Sequence, residues 1–197
     1  MTEKHGTVGS ISRRLVGLDE YQQKPALTKL AEHVVEPDEL DRYWSLRPPS
    51  ATPEAECCGC ADQPPIVLQG NLSPNPIVCL SCNGEVPPER IGFSAELAGH
   101  VAFWRDLHDA LFTLWLDSSD YESWARAQLE DSKGRLTIEG LEIVRKLNGH
   151  RRAYYWWFQD PSADNFIPLS LCPRCLAGLV ELFGQLVCEA CSIVVSN

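Results

Sequence analysis

The feature that most constrains this chain is a pair of cysteine doublets near its C-terminus. These are Cys172-Pro-Arg-Cys175 and Cys188-Glu-Ala-Cys191, separated by twelve residues. A CxxC doublet on a tight turn aims two sulfurs at one point, and a hairpin joining two such turns assembles a tetrahedral zinc site. The intervening residues suit that hairpin. Leu179 to Phe183 reads as one strand, Gly184 as the turn and Gln185 to Val187 as the return. Pro173 inside the first doublet and Gly178 just after it are turn formers. A redox CxxC usually stands alone beside a βαβ pattern, which is missing here. The expectation is a zinc ribbon with Cys172, Cys175, Cys188 and Cys191 as ligands.

A second cluster lies upstream: Cys57-Cys58-Gly59-Cys60, eighteen residues, then Cys79-Leu80-Ser81-Cys82. Two pairings of the first group are possible. Cys57 with Cys60 makes a CxxC doublet and leaves Cys58 spare; Cys58 with Cys60 makes CxC and leaves Cys57 spare. The first is preferred, because its two-residue spacing matches the turn of the other three doublets. The predicted ligands are therefore Cys57, Cys60, Cys79 and Cys82. With nine cysteines in the chain, eight fill two sites and one is left over.

Four thiolates close the coordination sphere of a tetrahedral metal, whereas catalytic zinc keeps an exchangeable position. Both sites are thus expected to hold structural Zn²⁺, whose binding energy is folding energy. An enzyme reading finds no phosphate-binding glycine loop, nucleophile elbow or HExxH helix. His100 and His108 stand eight residues apart on one predicted helix, too far to share a ligand easily, and read as ordinary helix-surface or core-edge residues. The expectation is a non-enzymatic protein.

Between the clusters, Leu97, Val101, Trp104, Leu107, Leu111, Leu114 and Trp115 recur at helical spacing behind Ser94, a suitable N-cap. Ser119 and Glu122 have capping-box spacing and open a short second helix. Thr137 is placed to cap a third helix with Leu141, Val144 and Leu147 buried, ended by a left-handed stop at Asn148-Gly149. Upstream, short helices are expected from Pro25 through Val34 and over Asp38–Trp44, followed by the proline-rich linker Arg47–Glu56. The fold class is therefore α+β, a central helical core flanked by two small four-cysteine zinc modules. The divisions are 1–56 (short helices and linker), 57–90 (first zinc module), 91–150 (helical core) and 151–197 (C-terminal zinc ribbon).

The formal charge is −10, from 17 basic and 27 acidic residues. It is unevenly spread. Residues 31–56 and 100–132 each carry two basic and seven acidic groups, while residues 133–152 carry six and two, a +4 island. Arg145, Lys146, His150, Arg151 and Arg152 of that island lead into Tyr154-Tyr155-Trp156-Trp157-Phe158. Cations beside aromatic rings are what single-stranded nucleic acids bind, with Arg145, Lys146, Arg151, Arg152, Tyr155 and Trp157 as the candidate contacts. The competing reading is a strand packed between the ribbon and the helices, with Tyr154, Trp156 and Phe158 on one face and Tyr155 and Trp157 on the other.

The YYWWF run, a polar spacer, CPRC, CEAC and the ending SIVVSN resemble a bacterial family of uncharacterised zinc-ribbon-containing proteins to which nucleic-acid binding is ascribed. The resemblance is specific over the last ~45 residues and extends more loosely over Ile91–Arg152. It implies metal at Cys172, Cys175, Cys188 and Cys191, and little about activity.

Charge argues for a different partner. Each Zn²⁺ with four thiolates adds −2, taking the chain from −10 to roughly −14. Such a molecule is poorly suited to nucleic acid and well suited to a basic protein, whose approach it would steer. Immunity or antitoxin-type inhibitors have this profile, with Glu36, Asp38, Asp41, Asp106 and Asp109 among the acids expected to face the partner. Nucleic-acid binding through residues 145–158 is the alternative. Met1–Ser10 has no apolar signal core and no stretch is long enough to span a bilayer, so a cytoplasmic protein without membrane contact is expected.

Overall fold

The computed structural model describes residues 53–70, 75–163 and 166–195, all within one compact unit. The helices expected over 25–34 and 38–44, and most of the acidic stretch 31–56, lie outside the described residues.

The aromatic run is the centre of the molecule. Aromatic and β-branched residues suit the pleated, packed surface of a sheet, and Ala153–Trp157 forms strand β3. Strands β1 (Ile66–Leu68) and β2 (Ile77–Cys79) precede it, and β4 (Val180–Leu182), β5 (Gln185–Cys188) and β6 (Ile193–Val195) follow. Together they make one mixed sheet of order β2-β1-β3-β6-β5-β4. β3 lies parallel to β1 on one side and to β6 on the other, and the remaining pairings are antiparallel. Tyr155 is thereby set opposite Leu68 and Ile193.

This differs from two modules flanking a helical core. The strands of both cysteine-bearing segments are edges of the same sheet, because β3 offers a pairing partner on each side. The helices instead cover one face. They are α1 (Ala95–Asp117), α2 (Glu122–Glu130) and α3 (Arg135–Leu147). The fold is α+β.

Alternation along the strands sorts side chains to two faces. Ile66, Leu68, Tyr155, Trp157, Ile193 and Val195 join the helices in the main core. Val67, Val78, Tyr154, Val187 and Val194 form a second buried cluster, with Trp156 against it. Burial on both faces explains why β1, β2 and β6 read as unbroken apolar triplets. Phe158 departs from the expected alternation: β3 ends at Trp157, and Phe158 packs edge-on against Trp115 and Phe112 of α1.

Helix α1 starts as its sequence suggests, the Leu97 amide donating to Ser94 Oγ at 3.2 Å. It buries Leu97, Val101, Trp104, His108 and Leu111. Its register on α3 is fixed by Trp104 Nε1, which donates to the Leu136 carbonyl at 3.0 Å. Gly140 allows α3 to come this close; a Cβ there would lie 2.4 Å from the Tyr155 ring and 2.8 Å from Trp104 Nε1.

Three helix-end expectations are corrected. α3 begins at Arg135 with Gly134 as N-cap, and Thr137 Oγ1 instead donates to the Asp131 carbonyl at 2.8 Å. The stop after Leu147 is not left-handed, since Asn148 has φ −62°. Its side chain donates to the Val144 and Ala153 carbonyls and accepts from the Ala153 amide, which ties the helix end to the start of β3. α2 begins at Glu122 rather than just after Ser119. Of the expected capping box, the bond from the Ser119 amide to Glu122 Oε1 (3.2 Å) is present. Among the described residues, no helix is long and apolar enough to cross a membrane.

Candidate metal centres

Two groups of four sulfurs converge, each with its Sγ atoms within 4.8 Å of one another: Cys58, Cys60, Cys79 and Cys82, and Cys172, Cys175, Cys188 and Cys191. A tetrahedral zinc with bonds of about 2.3 Å places its sulfurs about 3.8 Å apart. The Cys175 and Cys188 sulfurs stand at 3.6 Å, so the donor set fits such an ion.

The C-terminal group gathers the four cysteines that its spacing brings together. The knuckle at Cys172 is closed by the Leu176 amide bonding to the Cys172 carbonyl at 2.9 Å, and the Cys172 amide bonds to the Ala177 carbonyl. Leu176 and Ser192, each directly after the second cysteine of its doublet, take left-handed backbone angles (φ 59° and 52°). β4 and β5 connect through Phe183 and Gly184, both at positive φ, which matches the right-handed twist of a two-residue hairpin. Cys172 and Cys188 are buried, Cys175 is exposed and Cys191 is half-buried.

The upstream group corrects one ligand. Cys79 and Cys82 form a knuckle of the same kind, with the Asn83 amide on the Cys79 carbonyl at 2.9 Å and Asn83 at φ 57°. The other half uses Cys58 and Cys60, and Cys57 lies outside the four. Backbone pairing is the cause. Cys57 forms a parallel bridge with Glu85, and the Cys58 amide donates to the Glu85 carbonyl at 2.7 Å. In extended chain, residues two apart point to the same side, so Cys58 and Cys60 face the site together. Gly84 permits the close approach; a Cβ there would lie 2.9 Å from the Cys58 amide nitrogen.

Sequence reasoning missed Arg90. Its guanidinium donates to the Cys58 carbonyl and, at 2.6 Å, to the Cys60 carbonyl, gripping both ends of the CxC segment. A signal was available: Arg90 is the sole Lys or Arg between residues 57 and 99, in a segment that carries five cysteines.

Taken as thiols, the sulfurs divide their protons unequally. At Cys58, burial pushes upward, but hydrogen bonds from the Cys60 amide and the Cys79 and Cys82 thiols draw the pKa down to about 7. Cys60 is pushed up to about 12, chiefly by its bond to Cys82. In the other group the Ala177 amide leads in drawing Cys175 down to about 7, while burial leads in pushing Cys191 up to about 12. One ready thiolate among reluctant neighbours is what a charge-sharing cluster gives; a divalent cation takes all four as thiolates.

The basic–aromatic segment does not form an open patch. Tyr155 and Trp157 are core residues, 2% and 4% exposed, with no ring face left for a base. Arg151 is buried and donates to the Pro64 carbonyl at 2.7 Å. Arg152 pairs with Glu189 and lies over the Tyr154 ring. Arg145 pairs with Glu142 at 2.7 Å, and Lys146 Nζ lies 3.1 Å from His100 Nδ1. His108 is buried between the rings of Trp104 and Phe112. Scans of family models, curated proteins and solved structures return no match to this chain.

Proposed function

We propose that this is a non-catalytic protein in which two structural zinc ions brace a sheet, and whose acidic surface binds a basic protein partner. The observation that carries the first part is the pair of closed four-sulfur groups, each of which supplies every ligand a tetrahedral ion needs. Zinc suits four thiolates in the redox-stable role of a fold brace, and the hairpin with its two knuckles at the C-terminus reads as a zinc ribbon. Reduced, metal-binding cysteines suit a cytoplasmic setting.

The second part rests on charge. The four thiolates of each site deepen an already negative balance, and the three arginines of residues 145–152 are engaged by Glu142, Glu189 and the Pro64 carbonyl. A basic protein, met in the manner of an immunity protein or antitoxin, is the partner this surface attracts best. Nucleic-acid binding through 145–158 loses its two aromatic contacts to the core. Metal analysis of the purified protein tests the first part, with about two zinc per chain expected; iron instead would replace it with an Fe–S reading. Affinity capture from the native host tests the second. A basic protein retained at low salt and released as salt rises is expected, and co-purifying nucleic acid in its place would reverse the choice.

A further inference from the structure

Large apolar side chains at the corner between α1 and α2 stand in water. Leu116, Tyr121 and Trp124 are 57%, 60% and 53% exposed. Trp and Tyr are the residue types that most often anchor protein interfaces, and exposed apolar groups gathered in one place and rimmed by polar residues mark interaction sites. The corner is also pre-shaped. The Asp120 amide bonds to the Ser118 carbonyl, the Tyr121 amide to Ser118 Oγ at 3.1 Å, and the Ser119 amide to Glu122 Oε1 at 3.2 Å. On the other side of α2, Ala125 and Leu129 are buried. A rigid anchor loses little freedom on binding.

The chain that carries these anchors is acidic: from Ala110 to Ala125 it has Asp117, Asp120 and Glu122 and no Lys or Arg, and the next cation, Arg126, is paired with Glu130 and Asp160. Asp117 is the last residue of α1, and that helix has no basic residue in its final turn. A carboxylate at a helix C-terminus opposes the helix dipole, an arrangement that costs stability unless a cation arrives. Asp120 and Glu122 add to the same field.

We infer that the α1–α2 corner is the docking surface for the basic partner, with an arginine-bearing surface of that protein stacking on Tyr121 and Trp124 while its cations meet Asp117, Asp120 and Glu122. Guanidinium groups combine both interactions, since they stack on aromatic faces and pair with carboxylates. This inference rests on the partner reading above and places it at one site, away from Asp106 and Asp109. Asp106 already pairs with Arg105 at 2.7 Å, and Asp109 lies against His108.

The test uses the full chain carrying a photo-crosslinking amino acid at Tyr121, at Ile138 on α3, or at Phe183 in the hairpin turn, all exposed positions. Each is expressed in the native host, and adducts are identified by mass spectrometry. The expected result is an adduct at position 121 with a basic protein, re-formed from the purified pair. Trp124→Ala should then weaken binding about tenfold or more, and Asp117→Lys with Asp120→Lys should slow association about tenfold, with zinc content unchanged in both and the charge reversal leaving thermal unfolding no lower than in the wild type. A basic protein captured only through position 138 or 183 would overturn the corner and keep the partner reading. No adduct at any position, or nucleic acid at position 121, would overturn both.

Discussion

The two four-sulfur groups sit toward opposite ends of one sheet and are built by different rules. The C-terminal group hangs on a hairpin and two regular knuckles, and its ligands follow from spacing alone. The upstream group joins one regular knuckle to a short CxC segment, whose shape is imposed by pairing with Glu85 and by the Arg90 grip. Three doublets share a left-handed residue after the second cysteine, at Asn83, Leu176 and Ser192, and the CxC segment has none. A local motif therefore specifies its ligands only when the turn is local too. Where neighbouring chain holds the backbone extended, the period of two overrides the familiar spacing.

The largest expected effects separate those rules directly. Cys58→Ser should lose one zinc and destabilise the protein by several kcal/mol, a large part of a typical total of about 5–15 kcal/mol. Cys58 and Cys79 also belong to the main core. Cys57→Ser should keep two zinc and cost under about 1 kcal/mol. Zinc content and urea unfolding of the two variants check this; zinc loss in Cys57→Ser with retention in Cys58→Ser would restore the CxxC pairing.

Cys191→Ser should likewise lose one zinc, with a smaller cost of about 3 kcal/mol. Cys191 is only half-buried at the margin of the main core, and its knuckle borders a hairpin that is exposed at β4. Hydrogen exchange should therefore rise over residues 172–191 and stay low in α1 and α3. Equal exchange throughout would mean that both sites brace the whole sheet alike.

Arg90→Ala comes next, at about 1.5–3 kcal/mol, the range for hydrogen bonds made by a charged group. It should speed zinc release to a chelator from one site of the two, and Arg90→Lys should restore only part of the hold, because a lysine lacks the rigid planar fork that spans the two carbonyls. Acidification acts on both sites in the same sense. Thiolates must stay deprotonated to hold metal, so zinc affinity falls as pH drops, and more steeply below about 7, where the most acidic thiols, Cys58 and Cys175, also take up protons.

How much of this was legible varies with how local the cause is. Ser94, the stripe from Leu97 to Leu111, and the Val180–Leu182 and Gln185–Cys188 hairpin are dictated by residues within a few positions, and the sequence announces them. The ligand switch to Cys58 depends on Glu85, some twenty-seven residues away, and the Arg90 grip on a contact across thirty or more. The fate of the aromatic run was ambiguous for the same reason. Tyr155 and Trp157 look alike as stacking platforms or as core, and only the packing of α1 and α3 on β3 decides between them.

The smallest effect concerns how the C-terminal group is held to the helices. Asp160, buried beside the loop that leads to Cys172, accepts from the Ser162 amide at 2.9 Å and meets Arg126 of α2 at 3.4 Å. Burial alone would raise its pKa, but the Ser162 bonds and the Arg126 charge outweigh that and hold it below the ordinary carboxylate value. A depressed folded-state pKa means stability that is fully present above the unfolded value and is lost as pH falls through the folded one. Asp160→Asn should therefore cost about 1 kcal/mol at neutral pH, mostly through Ser162, because Arg126 is 40% exposed and its ion pair is screened. As pH falls below the ordinary carboxylate value and on through the lowered folded-state one, the wild type loses the same charge, and the two unfolding curves should converge. A gap that stays constant with pH would show that the shape of the Asp160 side chain, rather than its charge, ties α2 to this end of the sheet.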